Sequence, residues 1–229
     1  VIIGGEEIDD AKGVALDFGL YAEYPMGFEG VNIIPSLGWS LTDFGYPISY
    51  TLSGPEDPLP MMMRGGAGLR FDFDKHISGY RLLSIGMYAQ LDKLIARREE
   101  KVTTINGITD TTYVAMGPLE ALVNSWGDYY GYNGGYYKLN VWDQFMRMGG
   151  MEITLLEIMS LRFGQFYEHP LNGDRFYNTI GVGLQYKYFT LDYMKYDVKE
   201  NGNPLSGTEI IQFSLNLPIS AFRAFIDNL

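Results

Sequence analysis

Two histidines, His76 and His169, are the chain's whole supply of imidazole, and cysteine is absent. The histidines fall in connections expected at opposite ends of the strands around them, so no His-based triad or cluster is available. Thiol chemistry and cysteine-ligated metals are excluded. Carboxylates are plentiful, but Asp17, Asp72, Glu152 and Asp192 share alternating positions with Arg70, Arg162 and Lys187. Ion pairing across a wall accounts for that pattern better than acid–base catalysis does. Gly4-Gly5 and Gly134-Gly135 lack the strand-to-helix setting of a phosphate loop. No enzyme is expected, and no cofactor or metal.

The elements that position these groups follow from composition and periodicity. Seventeen basic residues against 28 acidic ones leave a net charge of −11 over 229 residues, the wrong sign for nucleic acid. Apolar residues make up 46% and aromatics 15%, with 18 Tyr, 13 Phe and 28 Gly, which excludes a disordered chain. Mean hydropathy is −0.07, and no window reaches the roughly 18 to 20 consecutive apolar residues of a membrane-spanning helix. A transmembrane β-barrel escapes that exclusion, because its strands alternate lipid-facing apolar with lumen-facing polar residues. The first ten residues have no basic segment, apolar stretch or starting Met. The expectation is a removed leader or a piece of a longer chain.

Period-two alternation dominates. It predicts nine strands, at about 13–25, 30–44, 60–73, 80–98, 146–156, 159–168, 176–188, 189–198 and 208–219. Near the end of the chain Ile211, Phe213, Leu215 and Leu217 share one face, while Gln212, Ser214 and Asn216 share the other. In-strand glycines (Gly19, Gly38, Gly66, Gly68, Gly86, Gly150, Gly164, Gly181 and Gly183) fall on the polar face. So do the ionisable residues Asp17, Glu23, Arg70, Asp72, Asp92, Glu152, Arg162, Lys187 and Asp192, with Lys195 as the exception. A charge at the lipid midplane costs roughly 2 to 4 kcal/mol, and such segregation favours an all-β, antiparallel, up-and-down barrel over a soluble sandwich. Asp17, Tyr21, Arg70, Asp72, Tyr88, Glu152, Arg162 and Asp192 are then lumen-facing. Short connections at 26–29, 74–79, 157–158 and 188–189 alternate with longer ones at 45–59, 99–145, 169–175 and 199–207, the pattern of periplasmic turns and external loops. An odd strand count does not close antiparallel, so an odd number of N-terminal strands is expected to be absent from the chain or supplied by another polypeptide.

The 99–145 connection is the strongest candidate for function. Asn106-Gly107 marks a hairpin turn, and 117–128 and 136–145 read as two short amphipathic helices flanking a Tyr/Gly stretch. The loop is expected to fold over or into the barrel mouth. Trp126, Tyr129, Tyr130, Tyr132, Tyr136, Tyr137 and Trp142, with Asp128, form a candidate partner surface of the side chains enriched at interfaces. The alternative is self-packing or an aromatic girdle.

Three runs, 161–169 (LRFGQFYEH), 177–193 (YNTIGVGLQYKYFTLDY) and 203–208 (NPLSGT), resemble the C-terminal end of the PorV/PorQ family. Upstream, 35–45 (PSLGWSLTDFG), 57–60 (DPLP) and 66–70 (GAGLR) resemble a strand, loop and strand of the same family. These are FadL-like outer-membrane barrels of the type IX secretion system of Bacteroidota. The similarity spans most of 13–218. It implies a barrel of 14 strands, of which this chain holds about nine, in a single domain over 1–229. It also implies a location in the cell outer membrane and contact with secreted cargo and a large translocon or attachment-complex protein. Loops 45–59, 99–145 and 199–207 are the expected cargo platform, with Asn203, Pro204 and Leu205 among its residues. Family chains end at an aromatic closing the last strand, whereas this one continues through 219–229, where Phe222, Phe225, Ile226 and Leu229 have the spacing of a short periplasmic helix. Two rival readings stand: a FadL-like channel for hydrophobic solutes, and an accessory barrel that only holds a larger surface assembly together.

Overall fold

The computed structural model describes residues 2–3, 6–7, 12–49, 56–105, 108–132, 136–198 and 205–216. Gly4, Gly5, Asn106, Gly107, Gly134, Gly135, Asn203, Pro204 and the 219–229 segment lie outside the described residues. The nine strands foreseen from alternation are present: β1 (Ala15–Glu23), β2 (Val31–Gly45), β3 (Met62–Phe73), β4 (Leu83–Leu94), β5 (Phe145–Leu155), β6 (Met159–Tyr167), β7 (Phe176–Tyr186), β8 (Phe189–Val198) and β9 (Glu209–Leu215). Each pairs antiparallel with its sequence neighbours, so the sheet is one meander. A tenth strand, Met26–Phe28, follows Pro25 and pairs with the start of β2. Among the described residues β1 and β9 do not pair with each other, and the sheet is open. No helix among them is long and apolar enough to cross a membrane.

Register fixes the faces, because directly opposed residues point the same way. One row reads Ile33, Phe71, Ile85, Ile153, Leu161, Val182, Tyr193 and Ile211. The adjacent row on the opposite face runs through Arg70, Gly86, Glu152, Arg162 and Gly181. Much of the apolar face is bare: Leu37 is 66% exposed, Phe213 65% and Ile211 74%. Three departures from the expected segregation emerge. Lys187 is not on a strand face; it sits in the 187–188 turn with a φ of 52°. Lys195 is joined on the apolar face by Lys93, Arg147, Asp197 and Glu209. Gly65 and Gly149 also lie on the apolar face. Every charged exception stands toward the end carrying the long connections, away from the rows that are apolar throughout. The connection between β3 and β4, 74–82, holds a small hairpin of its own, His76–Ile77 with Tyr80–Arg81.

The polar face is organised by one tyrosine and an ion-pair ladder. Tyr88 lies over Gly86 on its own strand and Gly68 directly across. A Cβ added at Gly86 would stand 2.5 Å from the Tyr88 hydroxyl, and one at Gly68 would stand 2.7 Å from Tyr88 Cδ1. The glycines make the slot that the ring fills, an aromatic covering of exposed backbone. Farther along, Arg162 bridges Glu152, with Nε to Oε2 at 2.5 Å, and Asp192. Gly181 and Gly183 leave the space that its side chain occupies. Asp72, 3% exposed, lies between Arg81 at 3.0 Å and Arg70 at 3.2 Å, the latter pair misaligned for a hydrogen bond. Arg64 pairs with Asp92 at 3.4 Å, and Gln90 donates to the same carboxylate.

Replacing Gly86 with Val should therefore destabilise the fold by about 1 to 3 kcal/mol, the usual cost of overpacking. Adding Tyr88→Ala to that variant should recover part of the loss. Urea titration of folding in detergent micelles, followed by tryptophan fluorescence, reads both effects.

Candidate functional site

A charge in the wrong phase locates the site. Along β4 the apolar face takes Leu83, Ile85, Met87, Ala89 and Leu91, and the next residue on that face is Lys93, opposite Met63 and Phe145. Lys93 is 0% exposed. Its Nζ donates to Gln144 Oε1 at 2.5 Å and stands 5.9 and 5.8 Å from the ring centroids of Trp126 and Phe145. Arg97, just past the strand, donates to Ser125 O at 2.8 Å and to the same Gln144 oxygen, and lies over the Tyr129 ring at 5.6 Å. The Gln144 amide in turn donates to Gly127 O at 3.0 Å and Leu139 O at 3.1 Å. No ion pair to Lys93 or Arg97 occurs among the described residues; carbonyl oxygens and aromatic faces solvate the two cations instead. Burial holds the Arg97 guanidinium below its ordinary pKa, with Tyr129 opposing.

The rest of the 95–144 connection is built around this pin. Arg98–Ile105 pairs with Ile108–Ala115 as the expected hairpin. Helix α1 (Pro118–Asn124) follows, with Gly117 at its N-cap and Pro in its first turn. Ala121 packs against Leu41, Met61 and Ile95, with Leu122, Met63 and Phe44 around them. Leu41, Met63 and Phe44 all belong to the apolar face. The loop thus folds onto the apolar flank of the sheet at its long-connection end, which corrects the expectation of a cap over the mouth. The reason is solvation: a lysine on an apolar face needs polar partners, and the loop supplies them in Gln144 and the ring faces of Trp126 and Phe145.

The second foreseen helix, at 136–145, is absent. Tyr136–Leu139 is a strand paired with Tyr129–Tyr132, and Trp142–Gln144 is a single 3-10 turn. Consecutive tyrosines favour a pleated, half-covered ribbon over a helix, and the amphipathic spacing of 136–145 was satisfied by both.

The sequence-derived residues divide into two sets, one in the long connections and one on the polar face of the sheet. Trp126 donates from Nε1 to Leu122 O at 2.9 Å and is 42% exposed, while Trp142 is 66% exposed with its ring 5.7 Å from Phe145. Tyr129 stacks obliquely on Tyr137 at 6.5 Å, and Tyr130 stands 6.0 Å from Lys138 Nζ and is 68% exposed. Asp128 pairs with Lys138 at 2.6 Å and, through that hydrogen bond, raises the lysine's pKa. Tyr132 and Tyr136 are cross-strand partners. Leu205 accepts from Thr208 N at 3.0 Å in the turn before β9. Leu119 and Val123 of α1 are exposed as well. The second set, Tyr21, Arg70, Asp72, Tyr88, Glu152, Arg162 and Asp192, lines the polar face. Asp17 instead caps a β-bulge, accepting from Asp43 N at 2.8 Å where Asp43 takes a φ of 58°.

A recess of about 300 Å³ on the polar face is bordered by Tyr21, Ser36, Gly38, Gly68, Tyr88 and Met148. Among the described residues no three His, Asp or Glu side chains converge as a metal site. Sequence reasoning missed Lys93, Arg97, Gln144 and Arg147. Its available signal was the lysine that lands on an apolar phase after five apolar positions. No protein-family model matches the chain, and no curated protein matches it.

Gln144→Leu should strip Lys93 of its acceptor and destabilise the loop by about 2 to 3 kcal/mol, the scale of a hydrogen bond to a buried charge. Adding Lys93→Met should restore most of the loss. The rate of limited proteolysis within 99–144 measures both.

Proposed function

We propose that the chain is the greater part of an outer-membrane β-barrel that serves type IX protein secretion, engaging cargo C-terminal domains or a translocon or attachment partner through its long connections. It is not an enzyme on this reading. The observation that carries the membrane half is the bare apolar face: row after row of Leu, Ile, Phe, Val and Met across nine strands, with no second large sheet against it among the described residues. A soluble chain rarely leaves so large an apolar surface open. From Leu83 to Leu91 that face runs nine residues of β4, the length of a tilted membrane-spanning strand. Because β1 and β9 run in the same direction, antiparallel closure requires an odd number of further strands. Every residue of β1 is exposed, and an open edge facing lipid would leave backbone groups unpaired at several kcal/mol each.

The secretion half rests on the resemblance of the strand and loop sequences to the PorV/PorQ family, supported by the exposed aromatics of the folded loop. Trp126, Tyr130 and Trp142 supply large amphipathic contact area of the kind that anchors interfaces. A second reading, a channel for hydrophobic solutes, is favoured by the Tyr- and Gly-lined recess on the polar face.

Two measurements test these readings. Phe163→Lys, in mid-strand on the apolar face, should weaken folding into lipid vesicles by about 2 to 4 kcal/mol; an unchanged midpoint argues against lipid contact. Replacing Trp126, Tyr130 and Trp142 together with Ala should abolish pull-down of a secreted protein's C-terminal domain while heat-modifiable migration persists. Retained capture by that variant removes the loop from the mechanism, and solute uptake by proteoliposomes would favour the channel.

A further inference from the structure

The apolar face carries a recess of about 440 Å³, bordered by Ala89, Leu91, Arg147, Gly149, Gln165 and Tyr167. It lies just below the folded loop. Ala67, Ala89 and Gly149 form one row of small residues that continues into Gln165 and Asn178, while Gly65, Leu91, Arg147 and Tyr167 form the row above. The small side chains make a dent, and polar groups stand at its rim.

Of the three cations on the apolar strand face, Lys93 is buried under the loop and Lys195 pairs with Glu209 at 3.5 Å. Arg147 differs. Its side chain is 43% exposed, its guanidinium donates to Trp142 O at 2.9 Å, and Asp143 approaches only to 3.8 Å. It also lies over the Tyr167 ring at 5.5 Å. One of five donors is used in a described hydrogen bond, and the planar fork suits a phosphate taken by two parallel bonds. Gln165 donates to Asn178 Oδ1 at 3.1 Å, adding a polar rim below the arginine. Toward the short turns the next row takes Leu69, Met87, Met151 and Phe163 beside the recess, and the row after it, Ile33, Phe71, Ile85, Ile153, Leu161 and Val182, carries no charge.

We propose that this recess holds the phosphate-bearing headgroup of a single membrane phospholipid, with Arg147 on the phosphate, Gln165 on the glycerol and ester oxygens, and an acyl chain laid over Ala67, Ala89 and the apolar rows beyond. The site rests on the membrane reading above. A lipid fits better than a soluble anion because the recess opens directly onto apolar strand surface, where a chain is welcome and a hydrated ion is not. The Trp142 turn above and the Tyr167 ring beside it place the site at the depth where aromatic side chains meet headgroups.

The test is native mass spectrometry of the full chain extracted in detergent and titrated with dipalmitoyl phosphatidylglycerol. Wild type should keep one lipid through delipidation, and Arg147→Gln should bind it about tenfold more weakly. Gly149→Leu should also lose the lipid by filling the dent; its Cβ has clear space, the nearest atom being Tyr88 O at 3.9 Å, so the fold is kept. Lys195→Gln, on the same face outside the recess, should bind as wild type does. Equal retention by wild type, Arg147→Gln and Gly149→Leu overturns the site, as does displacement of the lipid by millimolar inorganic phosphate, which would make it a site for a soluble anion. Vesicle flotation separates the two failures. A chain that floats with vesicles but keeps no lipid sinks this site alone, whereas a chain that stays in buffer sinks the membrane reading with it.

Discussion

The fold is governed by what solvates the apolar face of the meander. A sheet alternates its side chains with a period of two, so any strand with one greasy face imposes that face on its neighbours through register. Nine strands in unbroken antiparallel order extend the condition over the whole sheet. Water is a poor solvent for such a surface, at about 25 cal/mol for each Å² left exposed. Only two candidates remain for covering it, lipid or further protein. At the long-connection end protein does the covering, because α1 and the turn at Trp142–Gln144 fold down onto Leu41, Met61, Ile95 and Lys93. Below that level the chain presents bare rows.

The polar face obeys a different constraint. Its side chains must cover the sheet without leaving charges unpaired, and the glycines supply the necessary space. Gly68 and Gly86 make the slot under Tyr88, while Gly181 and Gly183 make room for Arg162 between Glu152 and Asp192. A larger residue at these positions would push a ring or a guanidinium out of register with its partners. The glycines and the ion pairs are thus two halves of one packing solution. This explains why they share a face, whereas Gly65 and Gly149, on the other face, dent a surface instead of supporting a ring.

The strands were legible in the sequence because a one-faced sheet writes its period directly into residue order. Short turns at Leu156–Glu157 and Lys187–Tyr188 then left no room for any topology but a meander. The loop was half legible. Asn106-Gly107 and the Gly117-Pro118 pair announced a hairpin and a helix start, but the 136–145 segment offered helical spacing and strand-forming tyrosines at once. Pairing with Tyr129–Tyr132 decided between them, a tertiary fact that local sequence does not contain. The placement of the aromatics Trp126 and Trp142 on the flank was likewise hidden, because it depends on which face Lys93 occupies.

Lys93 connects these levels. A lysine on the apolar face would be costly in lipid and needless in a soluble core, yet here it is held by Gln144 and framed by Trp126 and Phe145. With its charge satisfied from above, the loop is tied to the flank, and the aromatic cluster is delivered to the boundary between covered and bare surface. Arg147, two residues beyond Phe145 on the neighbouring strand, then emerges just below that boundary, oriented by the carbonyl of Trp142 and the ring of Tyr167. One off-phase charge therefore sets where the loop ends and the exposed face begins, and the guanidinium beneath it stands where an apolar surface gives way to polar groups.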